Sequence, residues 1–484
     1  MTRSVLGSTR TALAAIAALS VAGGCAVGPD YRRPSTDLPD AWRPEAPWRA
    51  ASPGDAALKG RWWELFGDAE LDALMRRAFD ANQTLQSAAA RLEQARSRVT
   101  VAKADLYPTA VLDASAARAR ISANRPLGVY SVPNQSTVQN DFTLGPTVTY
   151  ELDLFGRVRR EVEGYRAAAE QAAADFENVR LVLGAQLASD YFALRELDAE
   201  IDVVKRSLVI ETDALGFVTS RHDLGLATGL DLAQQQALVE SSAAQLELLV
   251  LQRTQYEHAI ATVVGSPAPG FTVEPRSSAG RMPVIPAGVP ADLLQRRPDV
   301  ASAERAMAAA NARIGVARAA YFPSIELLPI VPSVGWQSAA IGSLLSAPSQ
   351  LWAVGVGATQ TVFDAGRTRA NVHIAEQDYV AAVADYRQTV LTAMEEVENG
   401  ITGLVSLERA ARQSDDSVES SLRAYTIASD RYKGGVALYL DVLTAQQALL
   451  VNQRQAVQIH GQQFATIVYL VKALGGGWEG ATVD

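Results

Sequence analysis

The chain has 484 residues, a formal net charge of -9 and one cysteine, Cys25. The single cysteine excludes an intramolecular disulfide framework, and the acidic balance argues against nucleic acid as a partner. The length allows two or three ordinary domains or one large duplicated unit. Aromatic residues make up only 7% and alanine is abundant, which favours closely packed helices.

The N-terminus has the three parts of a secretory signal. Basic residues, an apolar run over 11–22 and two glycines come before Cys25, and the run is too short to cross a hydrocarbon core of ~30 Å as a helix. The order looks like a bacterial lipobox, although Ala22 stands where leucine is usual. We therefore expect 1–24 to be a signal peptide and 25–60 a lipidated, extended segment. An ordinary signal peptide ending near a buried Cys25 is the alternative.

Two tracts of more than a hundred residues each, 147–266 and 349–484, contain no proline. Proline in a helix interior costs ~3 kcal/mol, so these tracts are where long helices can form. We found no later stretch with the pattern of a transmembrane helix, because the best candidate, 339–358, is interrupted by Ser, Gln and Pro348. Any entry into a membrane beyond the lipid would then have to use strands.

Apolar residues in the first tract follow a helical period. From Ala172 to Leu208 they recur in ten steps with a mean of 3.6 residues, which predicts one helix from Gly156 to about Ser220. A second periodic run, about 230–264, predicts a helix that folds back as an antiparallel coiled coil. The alternative is a bundle of shorter helices, broken near Gly184 and Gly216.

Strand patterns come before each helical tract. The segment 141–155 alternates apolar with polar residues, so that one face is apolar and the other carries hydroxyls and carboxylates. Strands are expected at about 107–120, 141–155, 323–336 and 351–364. This alternation is typical of a membrane β-barrel, which has lipid outside and water inside. A soluble sandwich is the alternative, and the secretion signal and the small number of strands argue against it.

The chain is a duplicated unit. RHDLGLATGLD at 221–231 recurs as RYKGGVALYLD at 431–441, and 95–109 is similar to 310–324. Each half is expected to contain a helix, a strand pair and a long helical hairpin. The expected divisions are a first repeat over 61–285 with its hairpin at 156–265, a second repeat over 286–475 with its hairpin at 365–474, and a C-terminal tail over 476–484.

Four strands cannot close a barrel, because both edges would expose backbone groups to lipid. Three copies of the chain would supply twelve strands, and a closed barrel needs at least ~8. The expected fold class is therefore mainly α with a transmembrane β-barrel, assembled as a trimer with twelve strands.

The sequence resembles the outer membrane factors, the TolC-like channels, and in particular their lipoprotein branch in efflux systems. Four segments carry the resemblance besides the two glycine motifs: GCAVGPDYRRP (24–34), WWELFGDAELDALMRRAFDAN (62–82), YELDLFGR (150–157) and RRPDVASAERAMAAANARIGVARAAYFPS (296–324). The resemblance implies a homotrimer in the outer membrane with a 12-helix periplasmic α-barrel. It also implies a periplasmic adaptor and an inner-membrane resistance-nodulation-division transporter as partners.

The glycine motifs lie where each hairpin reverses. Glycine tolerates the positive φ of a tight reversal, so a turn explains these residues at least in part. The resemblance implies a second role, in which the turns form the periplasmic tips that dock the adaptor. The residues concerned are Leu224, Gly225, Leu226, Gly434, Gly435 and Val436.

Charged residues close to the reversals are candidates for a periplasmic gate. The resemblance implies that Asp430 and Arg431 constrict the closed end, with Asp213 and Asp223 as weaker candidates. Like charges that face one another across a trimer axis are destabilising unless they are paired, which suits a gate. A solvated helix face is an equally good interpretation of the same residues.

We find no catalytic motif, and the four histidines are dispersed at positions 222, 258, 373 and 460. No cofactor or metal is expected apart from the lipid, as N-palmitoyl and S-diacylglycerol groups on Cys25. The predicted function is the exit duct of a tripartite efflux pump. A type I protein-secretion channel and a periplasmic coiled-coil scaffold or adaptor lipoprotein are the alternatives.

Overall fold

The computed structural model describes residues 26–33, 60–122, 137–277, 280, 282–283, 297–327 and 332–476. The proposed signal peptide, Cys25 and the tail beyond residue 476 lie outside these residues. The chain forms two compact units, and each draws on both halves of the sequence. The first contains the described residues of Met1–Pro34, Glu93–Gln171 and Ala303–Asp385; the second contains those of Ser35–Leu92, Ala172–Ser302 and Tyr386–Asp484. The two sequence repeats are therefore not two separate compact bodies.

Seven α-helices form most of the described chain. They are α1 (Ala69–Ala81), α2 (Gln83–Ala104), α3 (Arg157–Asp223), α4 (Gly229–Val263), α5 (Pro298–Ala319), α6 (Arg367–Lys433) and α7 (Tyr439–Ala473). The duplication is visible in their lengths, since α3 and α6 have 67 residues each, α4 and α7 have 35 each, and α2 and α5 have 22 each.

Helix α3 is continuous, which excludes the alternative of several short helices. It passes through Gly184 and Gly216 without a break. A Cβ on Gly184 would lie 3.3 Å from Cζ of Phe79, so a small residue suits the packing at that position.

Six strands form the sheet of the first unit. They are β1 (Thr109–Ile121), β2 (Thr137–Glu151), β3 (Ser324–Leu327), β4 (Val334–Ser338), β5 (Gln350–Trp352) and β6 (Val356–Thr359). All pairs are antiparallel, in the order β5-β4-β2-β3-β6, and β1 pairs with β2 along its whole length. Strand β2 is the centre of the sheet because it pairs with β1, β3 and β4.

The second strand pair differs from the sequence prediction. Instead of strands over 323–336 and 351–364, the described residues form four short ones. Pro329 and Pro332 cannot donate ladder hydrogen bonds, which disfavours one continuous strand. The ladder between β3 and β6 ends at the pair Ser324–Thr359, and Pro323 has no N–H to extend it. Beyond that point Phe363 is 87% exposed.

An N-terminal strap, residues 26–33, packs into the first unit. The Val27 amide donates to the Phe155 carbonyl (3.0 Å), and Arg160 Nη2 donates to Asp30 Oδ1 (2.7 Å). Gly28 has φ +107°, and a Cβ there would lie 2.5 Å from the Gly315 Cα. Backbone meets backbone at this point, so only glycine fits.

The second unit has an aromatic core with a buried ion network beside it. The Phe192 ring stacks on Phe464 at a centroid distance of 4.8 Å, and Phe66 packs against Phe192 at a tilt, with the centroids 4.6 Å apart. The Arg195 side chain is fully buried and its guanidinium donates to Asp198 (2.7 Å) and to the Glu274 carbonyl (2.6 Å). Removal of one partner would leave an uncompensated buried charge, which is strongly destabilising.

Candidate functional site

The turn between α3 and α4, which we call the first tip (Arg221–Asp231), has the geometry of a Schellman motif. The Leu226 amide donates to the Arg221 carbonyl (2.8 Å), and the Gly225 amide donates to the His222 carbonyl (2.8 Å). Gly225 has φ +70°. This left-handed conformation favours glycine, and it ends α3 by satisfying carbonyls that have no partner within the helix.

The turn between α6 and α7, which we call the second tip (Arg431–Asp441), has the same backbone. The Val436 amide donates to the Arg431 carbonyl (3.0 Å), and the Gly435 amide donates to the Tyr432 carbonyl (3.0 Å). Gly435 has φ +75°. A turn role for both glycines is therefore established by their dihedral angles. A Cβ at either glycine would meet no atom within 4 Å, so each faces open space in this chain.

The helices that leave the two tips begin differently. Thr228 caps α4 in a capping box, in which the Asp231 amide donates to Thr228 Oγ1 (3.2 Å) and the Thr228 amide donates to Asp231 Oδ2 (3.0 Å). The equivalent residue before α7 is Leu438, which makes no side-chain cap. The second tip therefore lacks the local stabilisation that a polar N-cap residue provides.

A buried cluster of valine and tyrosine side chains, which we call the base of the tips, packs between the ends of α3 and α6 and the start of α7. Val218, Tyr432, Tyr439 and Val442 are buried together, and the rings of Tyr432 and Tyr439 are 5.0 Å apart. The Arg221 guanidinium lies over the Tyr432 ring, at 5.0 Å from its centroid. Burial raises the pKa of the Tyr432 and Tyr439 hydroxyls above the ordinary value, so both stay neutral.

The apolar residues proposed for docking lie on the surface. Leu224 is 73% exposed, Leu226 63% and Val436 67%, and Gly225, Gly434 and Gly435 are exposed as well. Three further exposed leucines were missed by the sequence interpretation: Leu230, Leu438 and Leu440. The sequence repeat could have identified two of them, because Leu230 and Leu440 occupy the same position in the repeated motif.

The proposed gate residues are distributed around the same end of the hairpins. Asp430 and Arg431 are exposed immediately before the second turn, and Asp223 is exposed at the end of α3. Asp213 lies in a cleft of about 240 Å³ between α3, α6 and α7, which Lys433 and Phe217 also line. Asp213 therefore shares a cleft with Lys433 of the second tip, whereas Asp223, Asp430 and Arg431 do not line it.

Other classes of site have little support within the described ranges. No cluster of His, Cys, Asp and Glu there could hold a metal ion. Among the same residues, every helix is too short or too polar to cross a membrane.

Comparison with known proteins gives one family over most of the chain. The family model described as "Outer membrane efflux protein" matches residues 74–266 and 289–476. Both matched segments contain a long helical hairpin and its tip, so the match includes the two repeats.

Two curated relatives are similar over nearly their whole lengths. The chain is 32% identical over 473 residues to the solvent efflux pump outer membrane protein SrpC of Pseudomonas putida, which covers 96% of this chain and 97% of SrpC. It is equally similar, 32% over 473 residues, to the pyoverdine export outer membrane protein OpmQ of Pseudomonas aeruginosa, with the same coverage.

A solved structure has the same fold. The outer-membrane channel OprN superposes with a TM-score of 0.85 and 30% sequence identity, which covers 94% of this chain and all of the OprN chain. The mostly helical architecture with a smaller set of strands is thus that of the TolC-like outer membrane channels, as the sequence resemblance implied.

Proposed function

The chain belongs to the outer membrane efflux protein family, and we propose that it is the exit channel through which an efflux pump releases small molecules across the outer membrane. The observation that carries this function is the family match, which includes both repeats and both tips. Transport through such a channel is passive, so the proposal requires no catalytic residues.

The described strands support a trimeric barrel. Leu112 in β1 is 72% exposed and Trp352 in β5 is 78% exposed, whereas polar side chains pair across β1 and β2. Ser115 and Thr143 share a hydrogen bond of 2.6 Å, and Thr147 Oγ1 donates to Asp113 Oδ2 (2.5 Å). The short strands take two positions beside β1 and β2, because β3 and β4 pair with different parts of β2, while β6 pairs with β3 and β5 with β4. We propose that three copies of this sheet, with four strand positions each, join into the twelve-stranded barrel, because this would pair the strand edges and place the apolar side chains in lipid.

The exposed apolar residues of the tips support adaptor docking. Leu226 and Val436 occupy equivalent places next to a glycine that faces open space. A trimer would present six such tips. We propose that helical hairpins of a periplasmic adaptor pack against them, and that the adaptor connects the channel to a resistance-nodulation-division transporter in the inner membrane.

The exposed Asp430 and Arg431 support a gate at the same end. Three copies of Asp430 around a trimer axis would repel one another, and adaptor binding could open the constriction they form. In planar bilayers, we expect Asp430→Ala to increase single-channel conductance, while Asp416→Ala, at an exposed position of α6 outside the proposed gate, leaves it close to that of the parent. Equal conductance of the parent and Asp430→Ala would contradict the gate.

The proposed lipid on Cys25 lies outside the described residues, but the strap that follows it supports an anchored N-terminus. Ala26 contacts Gly156 so closely that a Cβ on Gly156 would collide with it. We expect palmitate labelling of the parent protein and none of Cys25→Ser.

Small molecules are the better-supported cargo. SrpC is named for solvents and OpmQ for pyoverdine, and the chain is equally similar to both. This favours drug or metabolite efflux over type I protein secretion, and it fits a pump that determines selectivity. The scaffold alternative predicts a single hairpin, whereas two hairpins and a sheet are present.

Gene deletion and reconstitution test the function together. Deletion is expected to increase the sensitivity of the cell to exported compounds, and expression of the parent chain should restore resistance. The purified protein should run as a heat-sensitive trimer and form pores in planar bilayers. A folded trimer that conducts no ions and restores no resistance would overturn the proposal.

A further inference from the structure

The packing of α3 against α7 has a polar layer between two apolar ones. The apolar layers contain Val204 and Leu450 on one side, and Val218 and Val442 on the other. Glu211 lies seven residues from each of the two valines of α3, and Gln446 lies four residues from Val442 and four from Leu450. These spacings place both polar residues on the core faces of their helices, at the same level of the coiled coil.

Both side chains are buried with polar atoms left over. Glu211 is 0% exposed and Gln446 is 3% exposed. Glu211 Oε1 accepts a hydrogen bond from the Ser207 hydroxyl (2.8 Å). Within the described part of the chain, Glu211 Oε2 and both the Oε1 and Nε2 atoms of Gln446 have no hydrogen-bond partner. Buried polar atoms without partners are rare and costly, so an unseen partner is expected.

A neighbouring residue holds the helices at this level. Gln235 of α4 is fully buried; its Nε2 donates to the Glu211 carbonyl (2.7 Å), and its Oε1 accepts from the Tyr439 hydroxyl (2.5 Å). The three helices α3, α4 and α7 are therefore linked beside the layer. Because the layer is buried inside a single chain, assembly with other copies cannot expose it.

We propose that Glu211 and Gln446 bind internal water, and that this hydrated layer fixes the pairing of α3 with α7. Water fits the leftover atoms because it can donate to the two oxygens and accept from the amide nitrogen, and buried waters usually make two to four such bonds. A metal cation would satisfy only the oxygens. A buried polar group at a core position is a known way to specify helix register at a cost in stability.

The duplication provides a matched control. The residues equivalent to Glu211 and Gln446, 210 positions away, are Ser421 and Gln236. Ser421 Oγ accepts from Asn452 Nδ2 (2.5 Å), and Gln236 is exposed and donates to Glu240 (3.2 Å). The equivalent pair is thus satisfied, so the proposed hydrated layer has no counterpart at these two positions.

A double-mutant cycle on the purified full-length protein tests the layer, with the midpoint of heat denaturation as the readout. Glu211→Leu and Gln446→Leu should each lower the midpoint by several degrees, because each leaves the other polar group buried without its water. The double variant should recover to the parent midpoint or above it. The control pair Ser421→Leu and Gln236→Leu should show additive effects. Additive losses for Glu211 and Gln446 would overturn the proposal.

Two further measurements identify the ligand. A high-resolution structure of the parent should show ordered water within hydrogen-bond distance of Glu211 Oε2, and the double variant should lack it. Replacing sodium by a large organic cation should leave the parent midpoint unchanged. A sodium-dependent midpoint, or a direct hydrogen bond between Gln446 and Glu211 with no water, would overturn the assignment.

Discussion

In the first tip, Arg221 lies over the ring of Tyr432, whereas its counterpart in the second tip, Arg431, is exposed. The first tip has a capping box at Thr228, and the second has an exposed leucine in the same place. The turns themselves are alike, with φ of +70° and +75° at the two glycines. The duplication has therefore preserved the reversal of the chain, while the residues around it have changed.

The two tips share exposed apolar side chains as well as the same backbone conformation. Leu226 corresponds to Val436 and Leu230 to Leu440, and all four side chains are more than half exposed. The turn does not need them, because glycine dihedrals and backbone hydrogen bonds are enough to close it. Paired apolar residues on an exposed turn fit the proposed adaptor-binding surface.

Replacing the two turn glycines by asparagine is expected to have the largest effect. It distinguishes a role of these glycines in the turn from a role in adaptor docking. Asparagine tolerates the left-handed conformation, and an added Cβ meets nothing within 4 Å at Gly225 or Gly435. We expect Gly225→Asn and Gly435→Asn to fold normally but to lose at least about tenfold in adaptor affinity, or ~1.4 kcal/mol. Pull-down with the adaptor and drug-resistance assays measure this.

Gly270 is the matched control for these variants. It has φ +82°, an added Cβ there also meets nothing within 4 Å, and it lies outside both tips. Gly270→Asn should therefore leave adaptor affinity unchanged. If the tip variants kept full affinity, the glycines would serve the turn alone, and the shared surface of the two tips would lose its proposed role.

Removing each arginine tests whether Arg221 and Arg431 contribute differently to the stability of the tips. Arg221→Ala loses a cation–π contact with Tyr432 and packing over Phe217, which is expected to lower the free energy of unfolding by ~0.5–2 kcal/mol. Arg431→Ala should change it little, because the side chain is exposed. Chemical denaturation of the two variants measures the difference. Equal losses would mean that the contact of Arg221 with Tyr432 adds nothing to stability.

The hairpins show how much of this fold is readable in the sequence. They were expected at 156–265 and 365–474, and the helices occupy Arg157–Asp223, Gly229–Val263, Arg367–Lys433 and Tyr439–Ala473. The lack of proline and the 3.6-residue period are properties of neighbouring residues, so a local sequence pattern is enough to predict these helices. The short strands of the second pair depend on ladder partners elsewhere, and local alternation alone could not give their ends.

The base of the tips was not predictable in the same way. Arg221 and Tyr432 are far apart in sequence and meet only because α3 and α6 end at the same level. No periodicity or sequence motif predicts a contact between residues so far apart. The roles of Asp430 and Arg431 as a gate remain predictions, since a single chain lacks the axis around which three copies would face one another.

Exchanging the caps tests the difference at the start of the outgoing helices. Thr228→Ala should cost ~1 kcal/mol of stability, and Leu438→Thr, which places a cap opposite Asp441, should give a smaller gain. Hydrogen exchange of the amides in the first turn of α4 and α7 localises the effect. Unchanged amide protection in both variants would show that the shared base, and not the N-terminal caps, stabilises the two tips.

A pH dependence is expected higher in the first hairpin, at Glu196, whose counterpart in the second hairpin is Ser406. Glu196 lines a cavity of about 510 Å³ with Glu200 and Tyr256. Burial, with a smaller contribution from the negative Glu200, raises the pKa of Glu196 from 4.5 to about 7.

A raised carboxyl pKa means that the folded chain binds this proton more tightly than the unfolded chain. The stability that protonation of Glu196 contributes is complete below pH ~4.5 and is lost as the pH rises through about 7. Glu196→Gln keeps a neutral side chain at every pH, so its heat-denaturation midpoint should exceed that of the parent at pH 8 and match it at pH 4. Ser406→Ala, which changes no titratable group at the counterpart position, should show no such crossover. Parallel pH profiles for the parent and Glu196→Gln would mean that the carboxylate is already solvated, and that the two hairpins do not differ in charge at this level.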